Sequence, residues 1–377
     1  MKMKALMEFC DLNMGQSPNS ETYNEENIGL PFFQGNADFG EVYPKVRIWC
    51  SSPVKVAAVG DILISVRAPI GAMNIANTPC CIGRGLAALS PNPDTCMREY
   101  LYYALQSRID WLIAQGTGST FKAIGRKTLE GTQIPAYSLD EQQIISDTLS
   151  KTDQLITKAK AQASLLDELV KSRFVEMFGD VIHNDRGWPQ HSFSKITSSR
   201  LGKMLDTKQQ TGLHSYPYLA NFNVQWFRFD LKNLNQMDFN EADQVEFALQ
   251  DGDVLVCEGG EIGRCAVWHD EIQPCFFQKA LHRVRCDKSI ILPDYLAWWF
   301  KYNCDHGGFA AIEGAKATIA HLPGAKLKQL QVTVPPISHQ NHFASFVSEV
   351  DKSKLAVKQS LEKLETLKKS LMQQYFG

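Results

Sequence analysis

The two halves of this sequence end in the same segment, and this internal repeat constrains the fold more than any other feature. Phe178-Gly179 recurs as Phe376-Gly377, and superposing these pairs aligns residues 116–179 with 314–377 without a gap. Identical residues are spread along the alignment, among them Thr120 and Thr318, Leu129 and Leu327, Gln133 and Gln331, Gln142 and Gln340, and Asp153 and Asp351. Two copies of this length predict that one structural unit is built twice.

A second pair of matching segments lies upstream of the first. Gly60-Asp61-Ile62-Leu63-Ile64 corresponds to Gly252-Asp253-Val254-Leu255-Val256, and Ile70-Gly71 corresponds to Ile262-Gly263. The spacing between the upstream and downstream blocks differs between the halves, as it does when surface loops gain residues. We therefore interpret the chain as a pseudo-dimer in which each half has a variable globular part followed by a better matched C-terminal element.

Length and composition set the class of protein. A chain of 377 residues with 44% hydrophobic and 21% charged residues is typical of a globular protein with two domains. Its net charge of −2 requires any DNA-binding surface to be local. No apolar stretch is long enough for a bilayer, so we expect a cytoplasmic protein with no membrane contact. Ten cysteines without a C-x-x-C pattern and nine scattered histidines predict buried thiols and no metal site.

The matched C-terminal elements have the pattern of long helices. Residues 142–178 and 340–376 contain no proline or glycine, and Asp140 and Ser338 precede them as candidate N-caps. Apolar residues recur at steps of four and three, which predicts two helices of about 55 Å packing as an antiparallel coiled coil. Separate docking of each helix against other subunits is the alternative. The residues predicted at this interface are Ile145, Leu149, Ile156, Leu166 and Val170 in the first copy and Phe343, Val347, Val350, Val357, Leu361, Leu364 and Leu371 in the second.

The globular parts have the mixed pattern of an α+β fold. An apolar, β-branched run at 60–66 predicts a strand, and residues 99–115 and 294–302 predict amphipathic helices. We therefore expect two pseudo-repeated mixed α/β domains, each followed by a long helix. The expected boundaries are 1–139 and 181–337 for the globular domains, and 140–180 and 338–377 for the helices.

The sequence offers no recognisable catalytic motif. It lacks the G-x-x-x-x-G-K-[ST] phosphate loop, and it lacks the N-P-P-Y and D-P-P-Y elements with which methyltransferases of exocyclic amines hold the target base. Glu258 and Glu261 could form a carboxylate pair, but Val66 and Pro69 stand at the equivalent places in the first half. We therefore predict a binding protein with no catalytic residues of its own.

Several motifs together resemble one known family. Gly15-Gln16-Ser17-Pro18 matches a G-x-[ST]-P pattern, the repeated Gly-Asp segments match G-D-[IV]-L-[ILV], and residues 134–142 match I-P-x-x-x-L-x-E-Q. In this order, and over nearly the whole chain, they resemble the specificity subunits of type I restriction–modification systems. The second half departs at two points: residues 332–340 match more loosely, and Gly202-Lys203-Met204-Leu205 replaces the G-x-[ST]-P pattern.

The resemblance implies a role in recognising double-stranded DNA. Each globular part would be a target-recognition domain that reads one half of a split site, and the helices would set the distance between the halves. The helices would also dock two modification (methyltransferase) subunits, which use S-adenosylmethionine to methylate adenine. Restriction-translocation subunits that use ATP with magnesium would complete the complex, and this chain would bind no cofactor itself.

Loop residues that suit base and phosphate contacts are arginine, lysine, asparagine and glutamine. The candidates are Gln34, Asn36, Arg67, Arg84, Lys122 and Arg126 in the first half and Asn221, Asn223, Arg264, Gln278, Lys279 and Lys316 in the second. Arg67 and Lys122 rank first because they flank the shared strand and the loop where the long repeat begins. Two other functions stay open at this point: a two-headed adaptor that binds proteins, and an enzyme whose site is assembled between the halves.

Overall fold

The computed structural model describes residues 2–118, 122–206, 210–310 and 321–377. The chain divides into two compact units. Unit 1 comprises residues 1–161 and 358–377, and unit 2 comprises residues 162–357. Both boundaries fall inside long helices, so each of these helices begins in one unit and ends in the other.

Unit 1 combines short strands with three short helices and parts of the two long helices. Its strands are β1 (Met3–Ala5), β2 (Cys10–Met14), β3 (Tyr23–Asn24), β4 (Leu30–Phe33), β5 (Trp49–Cys50), β6 (Val56–Ala57), β7 (Ile62–Ser65), β8 (Met73–Ile75), β9 (Cys80–Ile82), β10 (Leu86–Pro91) and β11 (Gln133–Pro135). Its short helices are α1 (Arg98–Gln106), α2 (Ile109–Ala114) and α3 (Arg126–Glu130), and the first long helix is α4 (Leu139–Phe178).

The central strand of unit 1, β7, is buried on both faces. It belongs to a four-stranded antiparallel sheet of order β2-β10-β7-β8, and a second sheet has the order β3-β5-β4-β9-β6 with β4 parallel to β9. Ile62 and Ile64 pack in the core that contains helix α1, whereas Leu63 packs in the core shared with the second sheet. This two-sided burial explains why the predicted strand is apolar throughout instead of alternating.

Unit 2 has a corresponding set of elements. Its strands are β12 (Gln190–Ser192), β13 (Thr197–Leu201), β14 (Ser215–Leu219), β15 (Val224–Gln225), β16 (Arg228–Phe229), β17 (Asn235–Asp238), β18 (Val254–Cys257), β19 (Cys265–Val267), β20 (Phe276–Phe277), β21 (Leu281–Cys286) and β22 (Gln331–Thr333). Its helices are α5 (Phe193–Ile196), α6 (Glu241–Phe247), α7 (Pro293–Asp305) and α8 (Gly324–Gln329), and the second long helix is α9 (Ile337–Phe376).

The sheets of unit 2 repeat the plan of unit 1. A four-stranded antiparallel sheet has the order β13-β21-β18-β19, and a smaller sheet of order β17-β14-β20 contains the parallel pair β14 and β20. Val254 and Val256 face one core and Leu255 faces the other, as their counterparts do in β7. The mixed α/β architecture in two repeated domains is therefore confirmed.

The repeated Gly-Asp pair forms the same turn before each central strand. Gly60 and Gly252 have φ angles of 90° and 86°, a left-handed conformation that favours glycine. The carboxylate of Asp61 accepts a hydrogen bond from the Ala58 N–H at 2.8 Å, and that of Asp253 accepts one from the Gln250 N–H at 2.9 Å. The motif is repeated because the turn requires both residue types.

Each long helix begins one residue before its predicted cap, at Leu139 and at Ile337. Ser138 precedes α4, and its hydroxyl oxygen accepts a hydrogen bond from the Glu141 N–H at 3.4 Å while the Glu141 carboxylate accepts one from the Ser138 N–H at 2.8 Å. This reciprocal pair is a capping box. The prediction of Asp140 and Ser338 as N-caps is wrong, because both residues lie within the first turn of their helices.

The two 40-residue helices pack together in each unit. In unit 1 Lys368 pairs with Asp153 at 2.7 Å and Lys160 pairs with Glu365 at 3.5 Å, so the helices run in opposite directions. In unit 2 Lys354 pairs with Asp167 at 2.7 Å. All of the residues predicted at the helix interface are buried or half-buried. No helix within the described ranges has both the length and the apolar composition to cross a membrane.

Candidate nucleic-acid interface

In unit 1, the ends of β2, β4, β7 and β9 are tied together by backbone hydrogen bonds. The Gln16 N–H donates to the Ile82 carbonyl at 3.0 Å, the Gly83 N–H donates to the Phe33 carbonyl at 2.8 Å, and the Val66 N–H donates to the Gly85 carbonyl at 2.9 Å. We call residues 15–17, 34–36, 66–68 and 83–85 the unit 1 platform.

Two glycines of this platform are required by close backbone contacts. A Cβ atom on Gly15 would lie 2.1 Å from the Gly83 carbonyl oxygen, and one on Gly85 would lie 2.3 Å from the Gln34 carbonyl oxygen. No side chain fits at these separations, so the glycine of the G-x-[ST]-P motif serves the packing of the strand ends. The platform therefore holds its side chains on a rigid backbone.

Three of the candidate residues come together in one cleft. Gln34 and Arg67 are exposed, Asn36 is half-buried, and all three line an open cleft of about 600 Å³. Asp38 also lines it, and its carboxylate accepts hydrogen bonds from the Gln34 N–H at 2.7 Å and from the Arg47 Nε at 3.1 Å. Sequence reasoning did not select Asp38 and Arg47, because no motif links an acid and a base that meet only through the fold.

The other candidates of unit 1 are not among the residues that line the cleft. Arg84 is exposed, and its backbone N–H donates to the Ser17 hydroxyl at 3.3 Å. Lys122 is exposed, and its carbonyl accepts a hydrogen bond from the Ala68 N–H at 3.1 Å, which brings it next to the platform. Arg126 is partly engaged elsewhere, because it pairs with Glu130 at 3.3 Å.

Unit 2 builds an equivalent platform although its sequence lacks the G-x-[ST]-P pattern. The Gly202 N–H donates to the Leu281 carbonyl at 3.0 Å, and the Gln278 N–H donates to the Leu219 carbonyl at 3.0 Å. A Cβ atom on Gly202 would lie 2.4 Å from the Gln278 carbonyl oxygen. The single glycine thus preserves the backbone geometry, and we call residues 202–204, 219–221, 258–260 and 278–280 the unit 2 platform.

The side chains of unit 2 are more engaged with one another. The Arg264 guanidinium donates to Asn221 Oδ1 at 2.7 Å and pairs with Glu261 at 3.5 Å, while Asn221 Nδ2 donates to the Gly259 carbonyl at 2.9 Å. Asn223 is buried, and its Oδ1 accepts a hydrogen bond from the Ala220 N–H at 2.9 Å. Asn223 therefore stabilises the loop and offers no surface to a ligand.

The remaining candidates of unit 2 are more open. Gln278 is half-buried and Lys279 is exposed, with its amine 3.9 Å from the sulfur of Met204. Lys316 lies outside the described residues. Of the two acids considered as a carboxylate pair, Glu261 is engaged with Arg264 and also accepts a hydrogen bond from Trp226 Nε1 at 2.6 Å.

Four buried cysteines lack the features of nucleophiles. Burial raises the pKa of Cys10, Cys80, Cys96 and Cys275 to about 12, so these thiols stay protonated at neutral pH. Within the described ranges no cluster of three or more histidine, cysteine, aspartate or glutamate residues could hold a metal ion. The two platforms carry hydrogen-bond donors and acceptors on a fixed backbone. Such an arrangement is suited to recognising a polar surface.

Comparison with known proteins gives one consistent family. The sequence model described as "Type I restriction modification DNA specificity domain" matches residues 1–165 and 194–367, one match in each half. A protein of Methanocaldococcus jannaschii, provisionally described as the type I restriction enzyme MjaX specificity subunit, is 42% identical over 167 residues. That match covers 44% of this chain, and the chain spans only 39% of the length of that relative.

Two further similarities extend over more of the chain. The type I restriction enzyme EcoBI specificity subunit of Escherichia coli is 20% identical over 348 residues, which are 84% of this chain and 73% of that protein. The solved structure of a type I restriction-modification system S subunit from M. genitalium superposes over 100% of this chain and 96% of its own, with a TM-score of 0.62 and 16% identity. At that identity the superposition concerns the fold alone.

Proposed function

Since the chain belongs to the type I restriction–modification DNA specificity family, with one family domain in each half, we propose that it recognises the target DNA sequence of such a system. Each unit reads one half of a bipartite double-stranded site. The observation that carries this proposal is the pair of equivalent platforms, where strand ends hold glutamine, asparagine, arginine and lysine side chains on fixed backbone. These are the side chains that pair best with base edges and phosphates.

The two long helices form an antiparallel coiled coil that sets the distance between the half-sites. The heptad pattern, the burial of its apolar residues and the three ion pairs between the helices support this arrangement. Because each helix has one end in each unit, its length is the natural determinant of the spacer between the half-sites.

The helices also dock two modification subunits. α4 exposes apolar side chains that the described chain does not cover, including Ile144, Leu155, Leu165 and Leu169. Exposed apolar side chains along one helix are suited to helical partners. The modification subunits use S-adenosylmethionine to methylate adenine, restriction-translocation subunits use ATP with magnesium, and this chain supplies recognition without a cofactor. We place the complex in the cytoplasm, where it meets DNA.

Modified-base sequencing tests the proposal. The chain is co-expressed with the modification subunit encoded beside it, and genomic DNA is sequenced for methyladenine. A split motif methylated in both arms, and absent when this chain is omitted, is the expected result. If the two proteins co-purify but no new motif appears, the proposal fails and a protein-binding adaptor becomes the better description.

Salt dependence of binding provides an independent test. Phosphate contacts release counterions, so the affinity of the complex for a target duplex should fall steeply between about 50 and 200 mM salt. An adaptor that binds only proteins would show no such affinity. The duplex used is the motif found by sequencing, with a scrambled duplex as the control.

A further inference from the structure

Arg67 differs from most arginines of unit 1 because its guanidinium has no partner among the described residues. Arg47 pairs with Asp38, Arg98 pairs with Glu99, and Arg126 pairs with Glu130. Arg108 donates to two backbone carbonyls. Within the described part of unit 1 this leaves the exposed guanidinium groups of Arg67 and Arg84 available to a ligand.

The backbone of Arg67 is fixed although its side chain is exposed. Its carbonyl accepts a hydrogen bond from the Ser65 hydroxyl at 2.8 Å, and the residue forms a β-bridge with Ala123. The neighbouring Val66 N–H donates to the Gly85 carbonyl at 2.9 Å. A side chain on such a backbone is preorganised, which lowers the entropy cost of binding.

The charges of the cleft favour a base edge over a phosphate as the ligand of Arg67. The cleft is lined by two cations, Arg47 and Arg67, and by two carboxylates, Glu25 and Asp38. These formal charges cancel, so a phosphate would gain little attraction there. A neutral base edge with two acceptors matches the planar guanidinium fork, and the adjacent amides of the platform add further donors and acceptors.

Among its described residues, unit 2 has no counterpart of this side chain. Gly259 occupies the equivalent place, because it forms the same β-bridge with His321 that Arg67 forms with Ala123. The closest arginine in sequence, Arg264, is engaged with Asn221 and Glu261. The two units therefore present different chemistry at the same position of the fold.

From these observations we infer that Arg67 reads a guanine in the half-site bound by unit 1, through two hydrogen bonds to its O6 and N7. The base at the equivalent position of the other half-site is read without an arginine. This inference rests on the proposed function, and it assigns a specificity-determining residue within it.

The experiment measures base preference with the full chain in its complex with the modification subunit. Each base pair of the two arms is replaced in turn, and affinity for the duplexes is measured for the original chain and for Arg67→Ala. For the original chain, replacing the guanine read by Arg67 should weaken binding by about tenfold to a hundredfold. Arg67→Ala should bind all four base pairs at that position alike and keep its preferences elsewhere.

Three further variants separate base reading from charge. Arg67→Lys keeps the positive charge without the planar fork and should reduce the preference for guanine while retaining the salt dependence of binding. Arg84→Ala should weaken binding to all duplexes equally and lower the salt dependence, as a phosphate contact does. Arg98→Ala, which removes a surface arginine paired with Glu99, should change neither property.

The outcomes distinguish the two proposals. If Arg67→Ala retains every base preference, or loses affinity equally for all sequences, the inference about Arg67 is overturned while sequence recognition by the chain stands. If the original chain itself shows no sequence preference, the proposed function fails. Because Arg67 is exposed, unchanged thermal unfolding of the variants is expected and checks that they are folded.

Discussion

Gln142 in unit 1 and Gln340 in unit 2 make equivalent hydrogen bonds. The side-chain oxygen of Gln142 accepts from the Met97 N–H at 2.8 Å, and that of Gln340 accepts from the Leu292 N–H at 2.8 Å. The amide group of each glutamine also donates to two backbone carbonyls of its own unit. Met97 and Leu292 precede helices α1 and α7, so each glutamine ties the start of a long helix to the domain beside it.

Replacing this glutamine should destabilise the unit that contains it. Gln142 is fully buried, and Gln142→Leu would remove the acceptor of the Met97 N–H and the donor of two hydrogen bonds to backbone carbonyls. We expect the free energy of unfolding of unit 1 to fall by about 2–4 kcal/mol, measured by urea denaturation. Gln143→Leu is the matched control, because Gln143 is adjacent and exposed. Equal effects of the two substitutions would contradict the anchoring role.

Each unit is completed by the last residues of a long helix. Phe376, at the end of α9, is fully buried in unit 1 with its ring 5.6 Å from that of Tyr100, and its carbonyl accepts a hydrogen bond from Arg108 at 2.8 Å. In unit 2 the buried ring of Phe178, at the end of α4, lies 4.9 Å from that of Tyr295.

Truncating these two phenylalanines should therefore affect different units. Phe376→Ala is expected to destabilise unit 1 by about 3–5 kcal/mol, and Phe178→Ala to destabilise unit 2 by a similar amount. Calorimetry with a tryptophan fluorescence readout can separate the two, because unit 2 contains five of the seven tryptophans and unit 1 contains only Trp49 and Trp111. Should Phe376→Ala shift the unfolding of unit 2 and spare unit 1, the assignment of the helix ends would be wrong.

The sequence predicted the duplicated architecture because identical residues at equivalent positions of the two halves make equivalent contacts. The Gly-Asp turns, the central strands and the long helices all follow from local patterns of two to seven residues. The unit boundaries inside α4 and α9 could not be predicted in this way. They depend on which helix end packs in which domain, and this is a tertiary relation between residues far apart in sequence.

The sequence also could not predict which side chains are exposed and free to contact a ligand. Asn221 and Asn223 are the same residue type in one loop, yet Asn223 is buried and Asn221 is held by Arg264. The partners Asn221 and Arg264 are 43 residues apart in sequence, so no local pattern predicts their contact. The clustering of Gln34, Asn36 and Arg67 in one cleft likewise required the parallel pairing of β4 with β9 and the packing of Gly85.

His282 should make the stability of unit 2 depend on pH. It is buried, its Nε2 lies 3.0 Å from the Leu322 carbonyl, and burial lowers its pKa below the usual value of 6.5. Below about pH 6.5, His282 therefore binds fewer protons in the folded unit than in the unfolded chain. Its stability should be complete above about pH 6.5 and should decrease as the pH falls towards the lowered pKa.

Thermal unfolding between about pH 5 and pH 7.5 checks this expectation. His282→Gln should reduce the loss of stability on acidification relative to the original chain. His183 is the control of opposite sign, because the Asp180 carboxylate raises its pKa and its small contribution is lost as the pH rises. An unchanged pH profile in His282→Gln would remove His282 from the explanation.

Lengthening both long helices by seven residues should change the DNA target without changing the half-sites. Seven residues add about 10 Å to a helix, which equals about three base pairs of DNA at 3.4 Å each. The insertions are placed after Ala161 and after Val357, at the boundaries between the units, and keep the heptad pattern. Methyladenine sequencing should show the same two arms separated by about three more base pairs.

A glycine-rich insertion of equal length is the control, and it should abolish a single preferred spacing because it does not form a rigid helix. Methylation that persists at the original spacing with the heptad insertion would show that the helices do not set the distance.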